Sequence, residues 1–285
     1  MENSQNKVYN RKALIRIIIK CKSLLEGNKK MDKRPIGIFD SGVGGITVLK
    51  EIKNKMPNEN IIYIGDTQNF PYGNKSKEEI IKFSIENVNK LLKKDVKIIV
   101  IACGTATSQA IDVLKEKFDI PIIGIIEPTV KYIKNKNYNK VGVIATDGTI
   151  KNGAWERKLK EQIPNIHVVN KACPMLATIA EEGKAKSEEG RIVIQEYMKP
   201  FKEQKINRII LGCTHFPIYE QIIRDEFNFE IELINTGKTV SDELEKQLKK
   251  LNLENNDKNI GTIDIYLTKK EKQFYTITQN ILKSW

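Results

Sequence analysis

The chain has 285 residues, a mass of 32.6 kDa and 40% hydrophobic content, enough for two cores, and no run approaches the 18 consecutive apolar residues of a membrane span. Four cysteines at 21, 103, 173 and 213, without a CxxC pair, exclude a disulfide scaffold and read as cytoplasmic thiols; with only His167 and His215 a His-rich metal site cannot be built, and no metal is expected. The formal charge of +12 comes from 41 Lys against 7 Arg in an Ile- and Asn-rich chain, which reads as biased coding rather than phosphate recognition, so no nucleic-acid partner is expected.

Residues 1–34 form a basic leader that holds ten basic and three acidic side chains, +7 of the total. Within it Leu14, Ile17, Ile18, Cys21, Leu24 and Leu25 follow helical spacing. A basic amphipathic helix, one lying on a membrane surface, and an over-long start before Met31 are all compatible with that pattern, whereas the interrupting charges argue against a secretory signal.

The first core segment is expected as a strand from Ile36 to Phe39, then the turn Asp40-Ser41-Gly42-Val43-Gly44-Gly45, then a helix through Leu49 and Ile52. The glycines allow close backbone approach, and amides at a helix start favour an anion, but the spacing is not GxGxxG. Asp40 at the strand end reads either as a helix cap or as a proton partner for a thiol. A strand at Ile61–Ile64 leads to Gly65-Asp66-Thr67 and the shaped loop Phe70-Pro71-Tyr72-Gly73. A helix from Ser76 to about Leu92 opens on the capping pair Ser76 and Glu79. Next come a strand from Lys97 to Ala102, the turn at Cys103, Gly104 and Thr105, a helix, and a strand over Pro121–Ile126 with the crossover at Glu127-Pro128.

The second half repeats the scheme. Strand Val141–Ala145 precedes the turn Thr146-Asp147-Gly148-Thr149 and a helix from about Gly153; strand His167–Asn170 precedes Cys173-Pro174 and a helix over Met175–Glu182; the run Ile209-Ile210-Leu211 ends at Gly212, Cys213, Thr214 and His215, with a helical stretch over Ile218–Asp225 beyond it and a last helix from Lys269. Three matched segments recur at nearly one offset: 141 − 36 = 105, 166 − 61 = 105 and 213 − 103 = 110. Strands alternating with helices in two related halves predict an α/β fold of two pseudo-symmetric, doubly wound parallel-sheet domains with the active site in the cleft between them. The expected division is 35–126 plus 236–285 against 127–235.

The duplication places one cysteine at an equivalent strand end in each half, on opposite sides of a cleft. Buried cysteine often serves only as a small hydrophobe. Two facing thiols also suit inversion at a carbon, because one face needs a base and the other an acid, with the roles exchanged in reverse. A Cys-His hydrolase would use Cys213 with His215 but leave Cys103 idle, and a non-catalytic amino-acid-binding protein would tolerate loss of either thiol.

The segments I-G-I-F-D-S-G-V-G-G, G-D-T-Q-N-F-P-Y-G, A-C-G-T-A, A-C-P-M-L and L-G-C-T-H-F-P resemble, in order and spacing, those of bacterial glutamate racemases, from about Pro35 to the C-terminus. The resemblance implies a cofactor-independent racemase, commonly a cytoplasmic homodimer, that supplies D-glutamate for peptidoglycan. It implies Cys103 and Cys213 as the thiols acting on D- and L-glutamate, assisted by Asp40 and His215. Ser41, Tyr72, Gly73, Gly104, Thr105, Thr149 and Thr214 fall at positions that hold the amino acid, and Glu181 matches a carboxylate near the second thiol. Gly104 departs from the family's Asn, and Asn235-Thr236-Gly237 replaces an Asp-Ser type pair. Restoring Asn at position 104 is expected to tighten glutamate binding if the site otherwise follows the family, whereas loss of activity through crowding would mark a cleft reshaped around glycine.

Overall fold

In a computed structural model, residues 31–270, 274 and 277–279 are described; the expected leader helix with Cys21, and most of the expected last helix, lie outside them. The first half runs β1 (Ile36–Asp40), α1 (Ile46–Lys55), β2 (Ile61–Gly65), α2 (Lys77–Leu92), β3 (Ile98–Ile101), α3 (Gly104–Lys117) and β4 (Ile122–Gly124). The strands are short, Ile-rich and buried on both faces, as parallel strands covered by helices must be. Helix α2 starts where its capping pair dictates. The Glu79 amide donates to the Ser76 hydroxyl at 3.2 Å, and the Glu79 carboxylate accepts from the Ser76 amide at 2.9 Å.

The second half runs α4 (Ile126–Asn135), β5 (Lys140–Ala145), α5 (Asp147–Asn152), α6 (Ala154–Gln162), β6 (His167–Ala172), α7 (Pro174–Glu181), α8 (Glu188–Glu203), β7 (Arg208–Leu211), α9 (Glu220–Asp225) and β8 (Glu232–Asn235). Helix α10 (Thr236–Leu251) and β9 (Ile263–Leu267) follow. Three local expectations change. The strand expected to Ile126 ends at Gly124, and Glu127-Pro128 sits in the first turn of α4, where proline costs little. The turn expected at Thr146–Thr149 opens a short helix, α5, which stops at Gly153 with φ +71°, and the helix expected from about Gly153 follows as α6. The stretch expected to be helical from Ile218 begins as a 3₁₀ turn over Phe216–Tyr219.

Both sheets are wholly parallel. The strand orders are β4-β3-β1-β2-β9 and β6-β5-β7-β8. Read from the other edge, the second is β8-β7-β5-β6, which matches β4-β3-β1-β2 strand for strand. The sequence duplication is therefore a duplication of topology, and β9 adds a fifth strand to the first sheet. Crossover helices α4 and α10 pack together, with the Thr129 and Thr239 hydroxyls 2.6 Å apart in the core. One hydrophobic cluster takes Ile38 and Val100 from the first sheet together with Val143 and Ile210 from the second and Trp155 from α6. At the pole away from the strand ends, buried Lys97 pairs with Glu59 at 2.6 Å, and the Asn255 amide donates to the other Glu59 oxygen at 2.8 Å. That pair fastens the returning chain to the first sheet.

Candidate active site

Open parallel sheets place ligands outside the carboxyl ends of their strands. Here those ends carry Asp40, Asp66, Cys103, Thr146, Cys173 and Cys213, and Asp40 and Thr146 bond to Thr214 and Thr105 of the opposite halves.

From the first half come Asp40, Ser41 and Cys103. Asp40 is fully buried, accepts the Gly42 amide at 3.0 Å and accepts the Thr214 hydroxyl from the second half at 3.2 Å. Burial raises its pKa to about 6, against the pull of nearby His215 and the Gly42 amide. Cys103 caps α3: its sulfur accepts the Ala106 amide at 3.5 Å, and its thiol donates to the Ser41 hydroxyl at 3.7 Å. Burial, then the Asp40 charge, push this thiol up to about 12, so it holds its proton at neutral pH.

The second half supplies Cys213, Thr214, His215 and Glu181. The Cys213 sulfur lies 3.6 Å from His215 Nδ1, and His215 Nε2 donates to Glu181 at 2.8 Å. Burial opposes a charged imidazole here, yet the hydrogen bonds to Cys213 and Glu181 outweigh it and raise the His215 pKa well above its ordinary value. The same Glu181 oxygen accepts the Val43 amide at 2.8 Å. Neighbouring amides of the glycine turn thus hold two carboxylates, Gly42 that of Asp40 and Val43 that of Glu181. Phe70 covers the His215 ring at 5.8 Å between centroids.

Thr105 and Thr149 meet across the cleft. Thr105 Oγ1 lies 2.9 Å from Thr146 Oγ1, Thr146 lies 2.8 Å from Thr149, and the Thr149 hydroxyl donates to Thr105 at 3.3 Å. Gly73 packs against the Thr146 side chain. Tyr72 differs in what it presents. Its side chain is buried in the first half, where its hydroxyl donates to Asp66 at 2.5 Å and accepts from Asn87 at 3.2 Å, and the next residue, Gly73, is the one that lies against Thr146.

Gly104 stands at a close backbone contact. A β-carbon at this position would run into the backbone carbonyl of Gly212, which is itself wedged against Ile144 and Trp155. Position 104 in this chain is where the two cysteine turns meet backbone to backbone, a contact that favours crowding over a restored substrate contact for Asn here. Asn235 is accounted for locally: its side chain caps α10 by accepting the Gly237 amide at 2.8 Å, while the Thr236 hydroxyl donates to the Leu211 carbonyl at 3.2 Å.

The two cysteine turns meet at Gly104 and Gly212, and each thiol has a different polar neighbour, Ser41 for Cys103 and His215 for Cys213. Residues 45–244 match the model of the Asp/Glu/hydantoin racemase family. The glutamate racemase of Lactococcus lactis subsp. lactis is 44% identical over 208 residues, covering 73% of this chain and 76% of that protein. The glutamate racemase of Streptococcus agalactiae serotype Ia is 40% identical over 254 residues, covering 88% and 96%. The crystal structure of glutamate racemase from Francisella tularensis in complex with D-glutamate superposes with a TM-score of 0.83 at 36% identity, covering 89% of this chain and 95% of that one. The chain belongs to the Asp/Glu/hydantoin racemase family. It is an isomerase, a racemase.

Sequence reasoning about this racemase overlooked three residues. Thr146 completes the hydroxyl triangle, and the duplication offset could have found it, since 146 − 41 = 105 makes it the counterpart of Ser41. Thr47 donates to the Thr214 carbonyl at 2.8 Å and joins α1 to the second cysteine turn. Asp66 organises the loop that carries Tyr72 and Gly73. For Thr47 and Asp66 no signal in the sequence distinguishes them from ordinary helix-start and turn residues. Among the described residues no helix is long and apolar enough to cross a membrane, and no group of three or more His, Cys, Asp or Glu is placed to hold a metal ion.

Proposed function

We propose that the chain interconverts L- and D-glutamate by a two-thiol proton transfer without an added cofactor. The observation that carries this reading is the placement of Cys103 and Cys213 at matching strand ends, each beside a different proton partner. Starting from L-glutamate, the Cys213 sulfur takes the α-proton while His215, held by Glu181, supports the sulfur; the Cys103 thiol then delivers its own proton to the opposite face. The strongly raised Cys103 pKa suits the donor role in this direction. In reverse, Asp40 is the group that takes the Cys103 proton, and a carboxyl with a pKa of about 6 exchanges protons readily near neutral pH. Ser41, Gly73, Thr105, Thr149 and Thr214 hold the amino acid, Tyr72 acts through its backbone, and Gly104 shapes the turn between them.

The same reading takes residues 35–126 with 236–285 as one domain and 127–235 as the other, supported by the two sheets. It places the enzyme in the cytoplasm as a homodimer that supplies D-glutamate for peptidoglycan, as the resemblance implies. Gly104 favours a second reading, a different acidic or amide amino acid as substrate. Circular dichroism of L-glutamate incubated with the pure protein tests the first reading, which predicts decay of the signal to zero. Activity that appears only after pyridoxal phosphate is added, or that EDTA abolishes, overturns it. A higher kcat/KM for aspartate or glutamine than for glutamate selects the second.

A further inference from the structure

Asp66 follows β2 directly and is 1% exposed, so its carboxylate must be satisfied by hydrogen bonds. The donors come from two different parts of the chain. Tyr72 donates its hydroxyl at 2.5 Å, and Asn69 reaches both oxygens at 3.1 and 3.0 Å, so the 66–73 loop is wound around this one side chain. A further donor is remote in sequence: the Thr268 hydroxyl, just past β9, reaches Asp66 Oδ1 at 2.8 Å.

The end of β9 is bonded to the same loop at several further points. The Thr268 amide donates to the Gly65 carbonyl at 3.0 Å, and the Gln68 amide donates to the Thr268 hydroxyl at 3.0 Å. The Thr67 hydroxyl donates to the Lys269 carbonyl at 2.6 Å and accepts the Lys269 amide at 3.0 Å. Asp66 is also anchored to the catalytic strand, because its own amide donates to the Asp40 carbonyl at 2.9 Å. On the far side of the loop, Gly73 abuts Thr146 of the hydroxyl triangle. A continuous set of bonded groups therefore runs from the C-terminal strand through Thr268, Asp66 and Tyr72 to the cleft wall.

We propose that Asp66 and Thr268 are positioning residues for the racemase reaction: Thr268 fixes the Asp66 carboxylate, and Asp66 holds the Tyr72-Gly73 backbone at the wall where the substrate is gripped. The C-terminal strand, which contributes no group to the thiol chemistry, thereby sets the binding geometry of the cleft. This rests on the proposed function, since Tyr72 and Gly73 matter only if that wall holds the amino acid.

Thr268 is only half-buried, so replacing it spares the core. Thr268→Val keeps the shape and removes the donor, and loss of one such bond is expected to raise KM for glutamate about five-fold while kcat stays within about two-fold. Thr268→Ser, which keeps the hydroxyl, is expected to restore the wild-type KM. In a Tyr72→Phe background, Thr268→Val should add little, because the chain of bonds is already cut. Hydrogen exchange at the amides of residues 70–75 is expected to quicken in Thr268→Val and not in Thr268→Ser. An unchanged KM in Thr268→Val beside an active wild type, or full additivity with Tyr72→Phe, overturns the proposal. If the wild type does not racemise glutamate, the proposed function falls and exchange at 70–75 decides: quickened exchange upholds the positioning, and unchanged exchange overturns it.

Discussion

The carbonyl oxygen of Gly212 occupies the space that a β-carbon on residue 104 would need. The residues on either side of this contact are the two thiols, Cys103 and Cys213, so the approach of the two cysteine turns is limited by glycine at position 104 and by the backbone at position 212. Backbone cannot swing aside as a side chain does.

Gly104→Ala is therefore expected to hold the turns apart or to strain them, at a cost on the order of 1–3 kcal/mol, the usual range for overpacking. We expect kcat/KM to fall by about ten-fold or more, with a lower melting temperature, and Gly104→Asn to be worse than Gly104→Ala. Steady-state kinetics and thermal unfolding of both variants check this. A Gly104→Asn enzyme with wild-type or better kcat/KM would show that the cleft opens freely at this point.

Burial of Asp40 costs stability when its carboxyl is charged. Its folded pKa, about 6, lies above the ordinary value of 3.8, so the stability this group contributes is fully present below about pH 4 and is lost as pH rises through about 6. Two units correspond to about 3 kcal/mol as an order of magnitude. Asp40→Asn keeps an oxygen for the Gly42 amide and offers its amide to the Thr214 hydroxyl. We expect this variant to be more stable than wild type at pH 8, with the advantage shrinking towards pH 4, and to racemise far more slowly. Denaturant unfolding at the two pH values decides; an equal stability difference at both would mean that the carboxyl is not titrating as described.

Glu181 supports the imidazolium of His215 through the 2.8 Å bond to Nε2. Glu181→Gln removes that charge, so the His215 pKa drops and its proton is lost at a lower pH. The alkaline limb of the kcat profile is expected to move to lower pH, with a smaller effect on KM. The full pH–rate profile of the variant is the measurement, and a limb that stays in place would assign it to another group.

Cys103→Ser and Cys213→Ser should each abolish racemisation, since each removes the acid or base from one face. On a glutamate analogue with a β-leaving group, each variant retains one working thiol and is expected to eliminate from one enantiomer, with opposite preference. Elimination assays with the separate enantiomers test this. The same preference in both variants would defeat the two-sided mechanism.

The sequence alone determined the class of fold, because the alternation of short Ile-rich runs with amphipathic helices is a local property, and a duplication preserves the spacing between such runs. It also placed Cys103 and Cys213 at equivalent strand ends, since a strand end is legible wherever an apolar run stops at a small residue before a helix. Contacts between segments far apart in the chain leave no such trace. Thr146 joins Thr105 across 41 residues, Glu181 reaches Val43 across 138, and Thr268 reaches Asp66 across 202. Only packing one sheet against the other decided which hydroxyls meet, that Tyr72 turns its phenol into the core, and that Gly104 is a point of backbone contact rather than a missing side chain. Those outcomes depend on how the strand ends converge, and that convergence is set by the shared core of both sheets and the α4–α10 pair, not by any one stretch of residues.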